Sequence, residues 1–81
     1  MSNVSFSGKV KEQFEIRIRN LDPNHNTCED CYILNVPKKD AKIYISKIEK
    51  TMEKLGIKLR IDGPKENYGR FHLCGIYVYY A

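Results

Sequence analysis

The 81-residue chain lacks several features that would assign it directly to a class of proteins. No segment approaches the roughly 20 apolar residues that a membrane-spanning helix needs. No apolar run near the start is long enough for a secretory signal. Repeats, linkers and low-complexity segments are also missing. These absences predict one small cytoplasmic domain over residues 1–81, with no membrane partner.

The chain also lacks the residue patterns by which many enzymes are recognised. It contains no glycine-rich phosphate loop, no metalloprotease helix motif and no arrangement typical of a Ser, His and Asp triad. His72 and Cys74 alternate on a predicted strand, where same-side neighbours stand about 6–7 Å apart, too far for a nucleophile and its base. We therefore expect a protein that is not an enzyme.

Cysteine is scarce and odd in number, with three residues. An odd count favours a reducing compartment, in which thiols stay free or bind metal, over a disulfide framework. Cys28 and Cys31 have the C-x-x-C spacing that brings two thiolates onto one zinc ion, and His72 and Cys74 offer two further ligands. A structural zinc site at these four residues is one interpretation. The other is that no cofactor binds and that Cys74 is an ordinary buried thiol.

The charge is moderately basic, because 14 lysines and arginines face 10 acidic residues, giving a formal net charge of +4. The sequence pI is about 9.0. Such an excess permits a polyanionic partner such as nucleic acid without requiring one. With 42% hydrophobic residues the chain has enough apolar side chains for an ordered core.

Hydrophobic periodicity predicts four strands and one helix. Strands are expected at residues 10–19, 32–36, 57–62 and 70–80, where apolar and polar residues alternate or β-forming residues cluster. A helix is expected at residues 38–55, because apolar residues recur there every three or four positions and Gly56 follows. Gly75 indicates a bulge in the last strand. The predicted fold is α+β, of order ββαββ, with one helix packed on one face of a four-stranded, mostly antiparallel sheet.

A two-residue period places several cations on the sheet face opposite the helix. With the tyrosines beyond the bulge, the predicted binding face comprises Arg17, Arg19, Lys58, Arg60, Tyr77 and Tyr79. Arginines beside tyrosines suit single-stranded nucleic acid or RNA, because guanidinium groups meet phosphates and rings stack on bases. The leading hypothesis is a non-catalytic nucleic-acid-binding module. A lesser electrostatic patch is expected on the helix at Lys47, Lys50 and Lys54.

Two alternatives stay open. The same tyrosines and arginines are typical of protein interfaces, so the chain is alternatively a small regulator or inhibitor, of the phage or mobile-element kind, that blocks a larger enzyme by protein contact. The other alternative is that the charged face binds no partner and only contacts solvent. The β-forming C-terminal strand predicts homodimerisation if that strand lies at a sheet edge.

Overall fold

The computed structural model describes residues 8–67 and 69–79. Its elements are, in chain order, α1 (Gly8–Leu21), β1 (Asn26–Thr27), β2 (Cys31–Pro37), a 3-10 turn (Lys38–Asp40), α2 (Ala41–Leu55), β3 (Arg60–Glu66) and β4 (Leu73–Tyr79). The strands form one antiparallel sheet in the order β1-β2-β4-β3. The α+β class with a four-stranded antiparallel sheet is confirmed. The predicted ββαββ order with one helix is wrong, because the described residues contain two helices.

The strand predicted at residues 10–19 is instead helix α1. Phe14 and Ile18 are four residues apart, which puts them on one side of a helix, and they are only 0% and 1% exposed. Val10 and Leu21 pack against the same core. Ile16 lies between Phe14 and Ile18 in sequence but is 49% exposed. The buried residues thus follow a helical period, and Ile16 alone created the appearance of alternation.

The second helix matches its prediction closely. A 3-10 turn at Lys38–Asp40 leads into α2, which ends at Leu55. Gly56 then adopts the left-handed conformation, with φ of 69°, and its N–H donates to the Glu53 carbonyl at 3.2 Å. Glycine adopts this conformation at little cost, which explains why the helix ends there.

Strand β3 begins later than the predicted strand at residues 57–62 and continues beyond it to Glu66. Its pairing with β4 changes register between Asp62 and Lys65. Gly63 has a φ of 137°, and a Cβ there would lie only 2.8 Å from the carbonyl oxygen of Gly75. The irregularity predicted at Gly75 therefore lies on the neighbouring strand, between the partners of Tyr77 and Gly75. Because β3 is an edge strand, it accommodates Pro64, which has no N–H to donate.

The core lies between the helices and one face of the sheet. Its fully buried side chains come from α1, β2, α2 and β4, and Leu59 and Ile61 pack against them while partly exposed. The buried hydrophobic residues are Phe14, Ile18, Cys31, Tyr32, Leu34, Val36, Ala41, Ile48, Ile57, Cys74, Ile76 and Val78. This two-layer arrangement leaves the other face of the sheet without a covering helix among the described residues.

Strand β4 occupies the interior of the sheet, between β2 and β3. Its backbone is paired on both sides over Leu73–Tyr79. Homodimerisation was predicted only if the C-terminal strand lies at an edge of the sheet. Over these residues the strand does not lie at an edge. Tyr80, the last residue of the predicted strand, lies outside the described residues.

Candidate functional site

We call the side of the sheet that faces away from the helices the open face. Val78 is fully buried against the core, so the alternation of a strand directs its neighbours Tyr77 and Tyr79 to the open face. Arg60 is the cross-strand partner of Tyr79 on β3, and Ile33 is the partner of Tyr77 on β2. Cross-strand partners share a face, so these residues form one continuous surface.

Two tyrosines and two cations form a compact cluster on the open face. The rings of Tyr77 and Tyr79 are stacked, with centroids 6.3 Å apart and planes inclined by 15°. The guanidinium carbon of Arg60 lies 4.2 Å from the centroid of the Tyr79 ring. Nζ of Lys65 lies 5.2 Å from the centroid of the Tyr77 ring. Both cations are thereby held over aromatic faces by cation–π attraction.

Asp62 offsets part of this positive charge. Its Oδ2 atom lies 2.9 Å from Nζ of Lys65 and 4.0 Å from a guanidinium nitrogen of Arg60. The hydrogen bond and charge of Asp62 raise the pKa of Lys65, so this side chain stays protonated. The side chains of Arg60 and Lys65 are 65% and 49% exposed. Solvent screens such pairs strongly, so a stronger anion can compete for either cation.

The remaining cations of the predicted face lie elsewhere, which corrects that prediction. Arg17 and Arg19 are exposed residues of α1, in the helical layer on the other side of the sheet. Lys58 is exposed in the segment between α2 and β3. The error has one physical cause, since the prediction treated residues 10–19 as a strand. Only Arg60, Tyr77 and Tyr79 of that face come together.

Arg17 instead joins the predicted helix patch. A shallow groove of about 320 Å³ is lined by Arg17, Lys50 and Lys54, together with Glu53. An adjoining groove of about 260 Å³ adds Lys47. Within the described part of the chain, no ion pair joins any of these four cations to a carboxylate. This basic groove, defined by Arg17, Lys47, Lys50 and Lys54, is a second cationic surface, separated from the open face by the core.

Cys28 and Cys31 flank the turn of the β1–β2 hairpin. The Cys28 N–H donates to the Cys31 carbonyl at 3.0 Å, and the two residues are joined by a disulfide with Cα atoms 5.2 Å apart. The sequence predicted free or metal-bound thiols at this pair. Cys31 is also the cross-strand partner of Tyr79, so the bridge closes the hairpin beside the tyrosine cluster.

The four predicted zinc ligands do not converge. Cys31 pairs with Tyr79 and Cys74 with Val36, which separates the two cysteines by five strand residues, about 17 Å. Cys74 is 2% exposed within the core, whereas His72 is exposed in a turn. Burial raises the pKa of the Cys74 thiol, which keeps it protonated. Among the described residues, Cys28, Asp30 and Cys31 bring atoms of the kind that ligate metals within 4.8 Å of one another, but the two cysteine sulfur atoms are bonded to each other in the disulfide.

A polar pocket of about 440 Å³, which the sequence did not predict, lies on the same side of the sheet as the tyrosine cluster. Asn26 and Asn35 are on the open face, as partners of Ile33 and Gly75. The loop after β3 folds towards them, since Nδ2 of Asn67 donates to Oδ1 of Asn35 at 3.1 Å. The lining residues are Asp22, Asn24, Asn26, Asn35, Asn67, Arg70 and Leu73. They belong to separate segments, and the richness in asparagine was the only signal in the sequence.

Comparison of the chain with protein-family models, curated proteins and solved structures found no match. Neither helix in the described part of the chain is long and apolar enough to span a bilayer. The function is therefore inferred from the chemistry of the chain's own surfaces.

Proposed function

We propose that this protein is a non-catalytic module that binds nucleic acid, single-stranded or RNA, through its open face. The stacked pair of Tyr77 and Tyr79 on the central strand, flanked by Arg60 and Lys65, carries the proposal. Aromatic residues on an uncovered antiparallel sheet are a recurring means of holding unpaired bases, because every base has a face that can stack.

The contacts divide between bases and phosphates. The guanidinium group of Arg60 lies over the ring of Tyr79. This planar group is itself a surface on which a base stacks. Lys65 and Arg60 are about half or more exposed to solvent, so phosphate oxygens can replace Asp62 as their partner. A double helix would hide its base faces from the tyrosines, so a duplex should bind more weakly than a single strand.

Binding is tested by fluorescence polarisation with labelled single-stranded RNA, single-stranded DNA and duplexes at low salt. Tyr77→Leu and Tyr79→Leu keep apolar bulk but remove the ring, and each should weaken binding about tenfold, because one base stack contributes about 1–3 kcal/mol. Arg60→Gln should also weaken binding. Arg19→Gln is its matched control, since Arg19 is an exposed arginine of α1. The absence of binding to every oligonucleotide at low salt would refute the proposal.

A second candidate function is a regulator that blocks a larger protein through the same face. The ion pairs of Asp62 favour it, because they leave the cluster only weakly positive, and tyrosine and arginine are enriched at interface hot spots. Salt separates the two candidates. Contact with about three phosphates makes the logarithm of affinity fall with the logarithm of salt at a slope of about −2, whereas a tyrosine-centred protein interface responds weakly.

A further inference from the structure

The position of the polar pocket ties it to the tyrosine cluster. Asn35 pairs with Gly75, and Tyr77 is two residues further along β4. A Cβ at Gly75 would lie 3.2 Å from Cε1 of Tyr77, so the tyrosine ring leans over the glycine that pairs with Asn35. Diagonal neighbours of this kind are about 7–8 Å apart, close to the spacing between unstacked neighbouring bases. The pocket and the ring therefore form one surface.

Internal hydrogen bonds hold the walls of this pocket in place. The carboxylate of Asp22 accepts the N–H of Asn24 at 3.1 Å and the N–H of Asn35 at 3.0 Å. Oδ1 of Asn67 accepts the N–H groups of Gly69 and Arg70, each at 3.1 Å. These bonds fix both loops that border the pocket, so little ordering is needed when a ligand enters.

Several amide groups at the pocket remain available to a ligand. Within the described residues, no hydrogen bond uses the side-chain amides of Asn24 and Asn26 or the Nδ2 atom of Asn35. Oδ1 of Asn35 is occupied by Asn67, so Asn35 presents a donor, whereas each amide of Asn24 and Asn26 offers a donor and an acceptor side by side. Adjacent donors and acceptors are what the edge of a nucleobase requires, and the nearby guanidinium of Arg70 suits a phosphate.

We infer that this pocket receives one nucleobase of the bound strand and reads its edge through Asn26 and Asn35, next to the base stacked on Tyr77. The inference rests on the proposed function and adds selectivity to it. Stacking on Tyr77 and Tyr79 accepts any base, whereas hydrogen bonds to an amide discriminate among bases. The protein should therefore prefer one base at one position of an otherwise tolerant site.

The test uses labelled RNA hexanucleotides that carry A, C, G, U or an abasic nucleotide at each position in turn. At one position the wild-type protein should bind its preferred base about tenfold more tightly than the other three bases, as expected for one set of base-edge contacts. Asn26→Ala, which removes no hydrogen bond of the described structure, and Asn35→Ala should reduce this ratio to about two or less. Asn20→Ala, an exposed asparagine of α1, is the matched control and should keep the full ratio.

The outcomes separate this inference from the proposed function. If the wild-type protein binds the A, C, G and U strands equally well at every position but binds abasic strands more weakly, base reading by the pocket is refuted while stacking on the tyrosines stands. A preference that survives both asparagine variants also refutes it. If no strand binds, both ideas fail. A thermal unfolding curve for Asn35→Ala shows whether the fold is intact, and Asn26→Ala decides the matter if it is not.

Discussion

The hydroxyl group of Tyr32 donates a hydrogen bond of 2.8 Å to the carboxylate of Glu15. The Tyr32 ring is 1% exposed, and its centroid lies 5.6 Å from that of Phe14. One side chain of β2 therefore contacts α1 through both its ring and its hydroxyl group. This double contact fixes the N-terminal helix on the sheet and leaves the opposite face uncovered.

Removal of this hydroxyl group should destabilise the protein. We expect Tyr32→Phe to lower the free energy of unfolding by about 1–2 kcal/mol, because hydrogen bonds to charged groups contribute about that much or slightly more. Urea denaturation measures the change. Glu15→Gln keeps an oxygen acceptor and should cost less, and an equal or larger loss in Glu15→Gln would contradict this account.

A pair of isoleucines distinguishes helix α1 from a strand. Ile18 is 1% exposed and Ile16 is 49% exposed. Ile18→Ala should therefore cost about 2–5 kcal/mol of stability, as expected for a cavity in a core, whereas Ile16→Ala should change stability by about 0.5 kcal/mol or less. In a strand of alternating residues both side chains would face the core. Similar losses from the two variants in thermal or urea unfolding would therefore favour the strand.

The hairpin disulfide should contribute modest stability. Cys28 and Cys31 are three residues apart. A cross-link that closes so short a loop lowers the conformational entropy of the unfolded chain, which stabilises the folded state by about 2 kcal/mol. The double variant Cys28→Ser, Cys31→Ser should lose about that amount relative to the oxidised protein. A reducing agent should lower the stability of the wild-type protein to a similar extent and leave the double variant unaffected. A reductant effect of the same size in both proteins would show that the bridge is not its cause.

The basic groove provides a test of which surface binds nucleic acid. Lys50→Glu with Lys54→Glu reverses two of its charges on the helical layer. Because charges more than about 8 Å apart are largely screened at physiological salt, we expect affinity for single-stranded RNA to fall by no more than about threefold. Tyr77→Leu should have the larger effect in the same polarisation assay. If the order is reversed, the groove rather than the open face is the principal contact.

The sequence predicted those parts of the fold in which one periodic pattern was unambiguous. Helix α2 has an apolar stripe over four turns and a terminal Gly56, so no other structure fits it. In α1 only Phe14 and Ile18 are fully buried, and a single exposed Ile16 between them was enough to imitate a strand. That error transferred the arginines of α1 to the wrong layer.

The site was predictable to a similar extent. Tyr77 and Tyr79 were placed on the open face correctly, because alternation along one strand fixes which residues share a side. The pocket was not foreseen, since its residues are separated in sequence. Only the pairing of β1, β2 and β4 brings these amides beside a tyrosine.

The interruption of β3 at Gly63 and Pro64 bears on how copies of this protein behave at high concentration. An uncovered antiparallel sheet with a long regular edge would act as a template for further strands and grow into aggregates. Here the longer edge, β3, is interrupted by a register shift and by Pro64, which has no N–H to donate. The charged residues Lys65 and Glu66 follow Pro64 directly. The opposite edge, β1, is only two residues long. The fold thus exposes an aromatic surface while giving neighbouring molecules little regular strand edge with which to pair.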